Sequence, residues 1–159
     1  MAFQTTMNVN PAPAVEGDFA SANPRASVLA GPGALVAGSA GVTIGRFAWA
    51  DANGLVLNSG TGAPSGFVHR EQQGVITEWL GRSTMLVPKG LPITLHNAGD
   101  FWVRTATAAT IGQKIFASIT DGTVQTGAAG ATIAGFVETK WFAQSVAAAG
   151  ELVKMSIWS

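Results

Sequence analysis

Turn signals recur at close intervals from residue 42 to the end of the sequence, and the apolar residues between them tend to alternate with polar ones. A chain punctuated in this way has no room for long helices and must build its core from short strands. Val153, Met155 and Ile157 alternate with Lys154 and Ser156, while Ile115, Ala117 and Ile119 alternate with Lys114, Phe116 and Ser118. Each stretch predicts a strand with one apolar face. Ile93 and Leu95 alternate with Thr94 and His96, and Asn97-Ala98-Gly99-Asp100 then leads into Phe101-Trp102-Val103-Arg104-Thr105, a pattern that predicts a hairpin. Asp121-Gly122 and Asn53-Gly54 supply the turn chemistry for two more. Apolar parity switches from Val42 and Ile44 to Phe47 and Trp49 across Gly45, which predicts a β-bulge. Val75, Ile76, Trp79 and Leu80 in 71–81 fit a short amphipathic helix and an irregular strand equally well. The expected fold is all-β, a jelly-roll-like β-sandwich spanning 42–159 with roughly eight to ten short strands.

Residues 1–41 read differently. They hold ten Ala, five Gly and four Pro, without a sustained apolar period. Pro11, Pro13, Pro24 and Pro32 favour extended geometry in the residues before them. The segment is therefore expected to be a long N-terminal arm, which could reach on the order of 130 Å when stretched. Its small side chains offer little burial to offset the roughly 1 to 2 kcal/mol per residue that ordering a backbone costs.

Charge narrows the functional classes. Only 11% of the 159 residues are charged and the formal net charge is zero, whereas a free-standing soluble domain carries about 25% charged residues. So weakly charged a surface suits a subunit docked on other protein. Nine basic residues without a cluster give no footprint for a phosphate backbone, so no nucleic-acid partner is expected. The uncharged run 26–45 is broken by six glycines and prolines and is not a membrane span. Met1-Ala2-Phe3-Gln4-Thr5-Thr6 lacks the pattern of a secretory signal, and synthesis in the cytoplasm without export is expected.

No catalytic constellation stands out. With no cysteine, thiolate chemistry is excluded. His69 and His96 lie outside any metal-ligand spacing and are read as structural. Asp100 and Asp121 sit in expected turns, where short carboxylates bond the nearby backbone. Gly60-Thr61-Gly62-Ala63-Pro64-Ser65-Gly66 has the wrong spacing for a phosphate loop, and Gly38-Ser39-Ala40-Gly41 is not a nucleophile elbow. The chain is expected to be no enzyme and to need no cofactor, metal or small-molecule ligand. Most of its five tryptophans are expected in the core. Trp158, in phase with Lys154 and Ser156, is the candidate exposed aromatic, and a carbohydrate-binding module is the rival reading.

Several stretches in order resemble the structural cement, or head decoration, proteins of tailed bacteriophages. They are Gly66-Phe67-Val68-His69-Arg70, Val87-Pro88-Lys89-Gly90-Leu91-Pro92-Ile93-Thr94-Leu95 and Gly99-Asp100-Phe101-Trp102-Val103, followed by Gly112-Gln113-Lys114-Ile115-Phe116-Ala117 with Asp121-Gly122-Thr123, and finally 147–158. The resemblance implies a jelly-roll-like domain on the outside of an icosahedral head, bridging major capsid subunits, often as dimers near two-fold positions. On that reading the arm grips the shell through Phe3, Val9, Pro11, Val15, Phe19 and Arg25. Strand 151–158, taken as an edge strand, meets a second copy through Lys154, Ile157 and Trp158.

Overall fold

The computed structural model describes residues 13–71 and 84–158. The stretch 71–81, for which helix and strand were equally good, lies almost wholly outside them, as do Phe3, Val9 and Pro11.

The described residues are all-β. Thirteen strands run in chain order: β1 Ala26–Ser27, β2 Val36–Ala37, β3 Val42–Thr43, β4 Phe47–Ala50, β5 Leu55–Leu57, β6 Gly66–Val68 and β7 Leu86–Val87, then β8 Leu95–Ala98, β9 Asp100–Arg104, β10 Lys114–Ser118, β11 Val124–Gly127, β12 Phe136–Ala143 and β13 Leu152–Ser156. They form a six-stranded sheet in the order β1-β8-β6-β4-β5-β2, a five-stranded sheet in the order β11-β10-β12-β13-β9, and a separate pair, β3-β7. Pairing within the sheets is antiparallel except between β2 and β5. The five-stranded sheet curls until its outer strands meet, through a parallel bridge between Thr105 and Val124 and a bond from Ala106 N to Val124 O at 2.8 Å.

Two cores result. Phe47, Trp49 and Phe67 of the six-stranded sheet pack on Phe101, Val103, Ile115, Trp141, Val153 and Met155 of the five-stranded one. On the opposite face, Ala48, Val56, Val68 and Leu95 pack on Leu35, Val42, Ile44 and Val87. Strands β4 and β6 are thus buried on both sides. Each fully buried aliphatic or aromatic side chain here contributes about 1.5 to 3 kcal/mol, and the Phe47, Phe67 and Phe101 rings, stepping 5.4 and 5.0 Å between centroids, join the layers.

Two hairpins match the turn chemistry. The β10–β11 pair turns at Gly122 (φ 70°) with Ala117 opposite Val124, and β4–β5 turns where Asp51 Oδ1 accepts from Asn53 N and Leu55 N, both at 2.8 Å. The third does not form. β8 and β9 adjoin in sequence but pair in different sheets, because Gly99, at a φ of 134° that a side chain rarely adopts, passes the chain from one sheet to the other. The parity switch at Gly45 is likewise no bulge: β3 leaves the pair with β7 there and β4 enters the six-stranded sheet.

Residues 13–41 do not hang free as the expected arm. Gly17 N donates to Trp102 O at 2.8 Å, Trp102 N to Asp18 O at 2.8 Å and Ala20 N to Asp100 O at 2.9 Å, while β1 and β2 belong to the six-stranded sheet and Leu35 and Ala37 are buried. Backbone pairing supplies what the small side chains lack. The edge-strand expectation for the C-terminal strand is corrected too, since β13 lies between β12 and β9 and pairs with both.

Candidate interaction surface

The expected contact residues fall into separate places. Val15 is about half exposed. Phe19 is turned inward: it bridges Phe101, stacks on His69 with centroids 3.8 Å apart, and carries the Arg25 guanidinium 4.0 Å above its ring. It and Arg25 therefore hold the N-terminal segment to its own domain. Lys154 is exposed and its ammonium lies 5.1 Å from the Trp102 ring, Ile157 packs partly on the core, and Trp158 keeps 48% of its surface exposed. Gln144 Nε2 donates to Trp158 O at 3.1 Å, which holds this end beside the β12–β13 connection.

The residues considered for chemistry have structural tasks. Asp121 Oδ1 accepts from Thr123 N and Oγ1; burial raises its carboxyl, but Thr123, Ser118 and Arg46 outweigh this and hold it below the usual value. Asp100 Oδ2 accepts from Ser21 Oγ and Asn23 Nδ2, both at 2.6 Å. Burial again raises the carboxyl, and the hydroxyls of Ser156 and Ser21 with the Asn23 amide prevail and lower it. His69 and His96, 27 positions apart in sequence, meet with ring centroids 5.5 Å apart. The His69 Nδ1 is 2.9 Å from Gly17 O, an interaction in which a protonated Nδ1 donates. The loop 60–66 serves Trp49, whose indole N–H donates to Gly62 O at 3.0 Å. Among the described residues no group of three or more His, Asp or Glu side chains could hold a metal ion, and no helix is long and apolar enough to cross a membrane.

A cleft of about 600 Å³ runs beside Trp49, Leu55, Leu57 and Lys89. The carboxylate on its wall, Asp51, is occupied by the two backbone amides of the β4–β5 turn. Of the described tryptophans, Trp49 and Trp141 are buried, Trp102 is part-covered and Trp158 is exposed.

One surface escaped the sequence reading. Residues 106–112 and 144–150 are bound side by side by reciprocal bonds between Ala109 and Ala147, of 2.8 and 3.2 Å. Ile111 is 66% and Val146 70% exposed on these loops, with Ala106, Ala108, Ala148 and Ala149 exposed around them. No charged residue occurs from 105 to 113 or from 141 to 150. Those two uncharged runs were the available signal, and the Ala109–Ala147 pairing sets them side by side, with Arg104 and Glu151 bonded to the second at Gly150 O and Ala148 N.

An all-β body with exposed apolar loops at one end, in which Asp51, Asp100 and Asp121 hold turns and the N-terminal segment in place, has the make-up of a structural subunit. The profile of the XM1 gp53 minor capsid protein family matches residues 3–157, and the chain belongs to that family. It is a component of a virion capsid, a structural protein and not an enzyme. Among solved structures, a chain from the capsid of the Myoviridae phage XM1 is similar at a TM-score of 0.66 and 19% identity, covering 99% of this chain and 98% of its own length. That likeness shows the fold. No curated protein matches.

Proposed function

We propose that this protein is a cement subunit on the outer surface of a phage head, bridging neighbouring major capsid subunits. The observation that carries the reading is the pair of adjoining loops that expose Ile111, Val146 and several alanines, with Arg104 and Glu151 bonded to the backbone at Gly150 and Ala148. Large apolar side chains standing together on a surface of low charge mark a place where another protein sits. The zero net charge suits the outside of the shell better than the side facing nucleic acid. The facing of Phe47 and Phe67 onto Phe101 supports a jelly-roll-like sandwich as the frame. In this reading Phe3, Val9 and Pro11 reach a capsid subunit, with Val15 at the root of that reach. A second copy of the chain meets this one around a two-fold through Trp158, with Ile157 and Lys154 beside it.

The mechanism is linkage. A protein that binds only the assembled shell stabilises it at each site, by about 2.7 kcal/mol when its free concentration is a hundred times Kd. Expanded heads lacking the protein, titrated with purified chain, should take it up and then break at a higher temperature or denaturant concentration. Uptake without any gain in resistance, or bound chain shielded from added protease until the shell is opened, would remove the cement role.

A further inference from the structure

We propose that residues 13–27 form an acid-released strap, which protonation of His96 detaches from the outer edges of β8 and β9.

The strap straddles the passage between the two sheets. Gly17, Asp18 and Ala20 pair with Trp102 and Asp100 on β9, and the chain then runs on into β1, which pairs with β8. Both sheets are covered at that edge by one piece of chain. Phe19 plugs its centre, stacked on His69, 5.7 Å edge-on to His96 and 5.3 Å from Phe101.

His96 is the buried member of this group. It is only 7% exposed, and neither ring nitrogen makes a well-formed hydrogen bond. Such a ring is tolerated when neutral and costly when charged. Arg25 lies over Phe19 on one side and His69 stands on the other. Glu71 and the Ala26 backbone pull toward the charged form, but desolvation, with repulsion from His69 and Arg25, outweighs them and lowers its proton affinity. Asp18 and Arg70, paired at 2.6 Å, and Glu16 with Arg104 at 3.1 Å fasten the strap further out. Asp100 holds Ser21 and Asn23.

The sign follows from linkage. His96 is neutral in the closed strap, whereas on release it gains water and an ordinary value near 6.5. Closure is therefore fully favoured above about pH 6.5. Each pH unit below that, down to the depressed value, raises the open-to-closed ratio by up to about tenfold. Asp18 and Asp100, which help to hold the strap, lose charge only at lower pH, since both are held below 3.8.

The chain has no cysteine, so Val15→Cys gives one attachment point for a nitroxide on the exposed shoulder of the strap. Electron paramagnetic resonance from pH 8 to pH 5 should show a reversible rise in the mobile fraction, absent in the same protein carrying His96→Phe, which keeps the ring stack without the titrating nitrogens. With only two histidines in the chain, the His96 ring proton can also be titrated by NMR, and its midpoint should coincide with the rise in mobility. An unchanged label from pH 8 to 5, an equal rise in the His96→Phe protein, or a His96 midpoint apart from the mobility midpoint would overturn the strap. If the variant fails to fold, the two midpoints in the native sequence decide the matter alone.

Discussion

Phe47 donates its backbone N–H to the carbonyl of Gly122 at 2.9 Å, so β4 of the six-stranded sheet is stitched to the hairpin turn of the curled one. The approach is so close that a Cβ on residue 122 would collide with the Phe47 carbonyl oxygen, and Gly122 has a φ of 70°.

Gly122→Ala should therefore destabilise the fold by about 2 kcal/mol or more, since the left-handed backbone alone costs roughly 1 kcal/mol and the collision adds to it. Urea denaturation followed by tryptophan fluorescence measures this. A loss under 0.5 kcal/mol would mean that the turn is not locked to Phe47.

Phe67→Ala should cost about 3 to 5 kcal/mol, the usual range for truncating a fully buried phenylalanine. Phe67 is completely buried, between Phe47 and Phe101 where the layers meet. The same denaturation experiment should show a single transition moved to lower urea. Two separated transitions would show that the sheets unfold independently.

Stability should decline in acid for a reason separate from the histidines. Burial raises the Asp18 carboxyl, but the Arg70 hydrogen bond, the Val15 amide and the charges of Arg70 and His69 together lower it below 3.8. A carboxylate lowered by folding contributes stability that is present above its unfolded value and lost as pH falls through the folded one. Asp18→Asn should accordingly flatten the fall in unfolding free energy below about pH 4. Denaturation at half-unit pH steps tests it. An unaltered slope would assign the acid loss to Asp100 and Asp121, which are lowered in the same sense.

On the paired loops 106–112 and 144–150, Ile111→Lys with Val146→Lys should leave the urea midpoint nearly unchanged, because both side chains are mostly exposed. Binding to expanded heads should fall tenfold or more, as two charges are desolvated without partners. Head affinity equal to that of the native sequence would place the contact elsewhere.

Trp158→Ser should change stability by less than about 0.5 kcal/mol. It should lower the oligomer fraction seen by light scattering if the two-fold contact is made there. An equal mass distribution for both proteins would remove Trp158 from any self-contact.

What the sequence disclosed depended on how local the cause was. The β10–β11 and β4–β5 hairpins were readable because Asp121-Gly122 and Asn53-Gly54 set their turns within a few residues. The alternation at Val153, Lys154 and Met155 likewise gave β13 its inward and outward sides. The place of β13 inside its sheet was not readable, since its neighbours β9 and β12 are chosen by packing. Phe116 and Ser118 were assigned to an outer face yet are buried; alternation identifies a strand without telling whether both faces are covered. Residues 13–41 misled for a related cause. Their alanines and glycines looked like a lack of burial, but Leu35 and Ala37 are core, and Gly38 lies against Leu57 and Val56 where a larger residue would not fit. The meeting of His69 with His96, and of Ile111's loop with Val146's, depends on tertiary pairings that no local spacing announces.

The long reach between the strap and its partners also orders events during synthesis. Ser21 and Asn23 bond to Asp100, 79 and 77 positions later in the chain. At about 5 to 20 residues per second, a ribosome needs roughly 4 to 16 s to travel from one to the other. Through that interval the segment beginning at Pro13 lacks its β9 partners, and only His69 and Arg70, made some fifty residues after Gly17 and Asp18, are there for it to grip. Closure of the edge thus waits for β9, and a nascent chain halted before Gly99 would carry this stretch without its β9 partners, open to proteases, chaperones and other nascent copies.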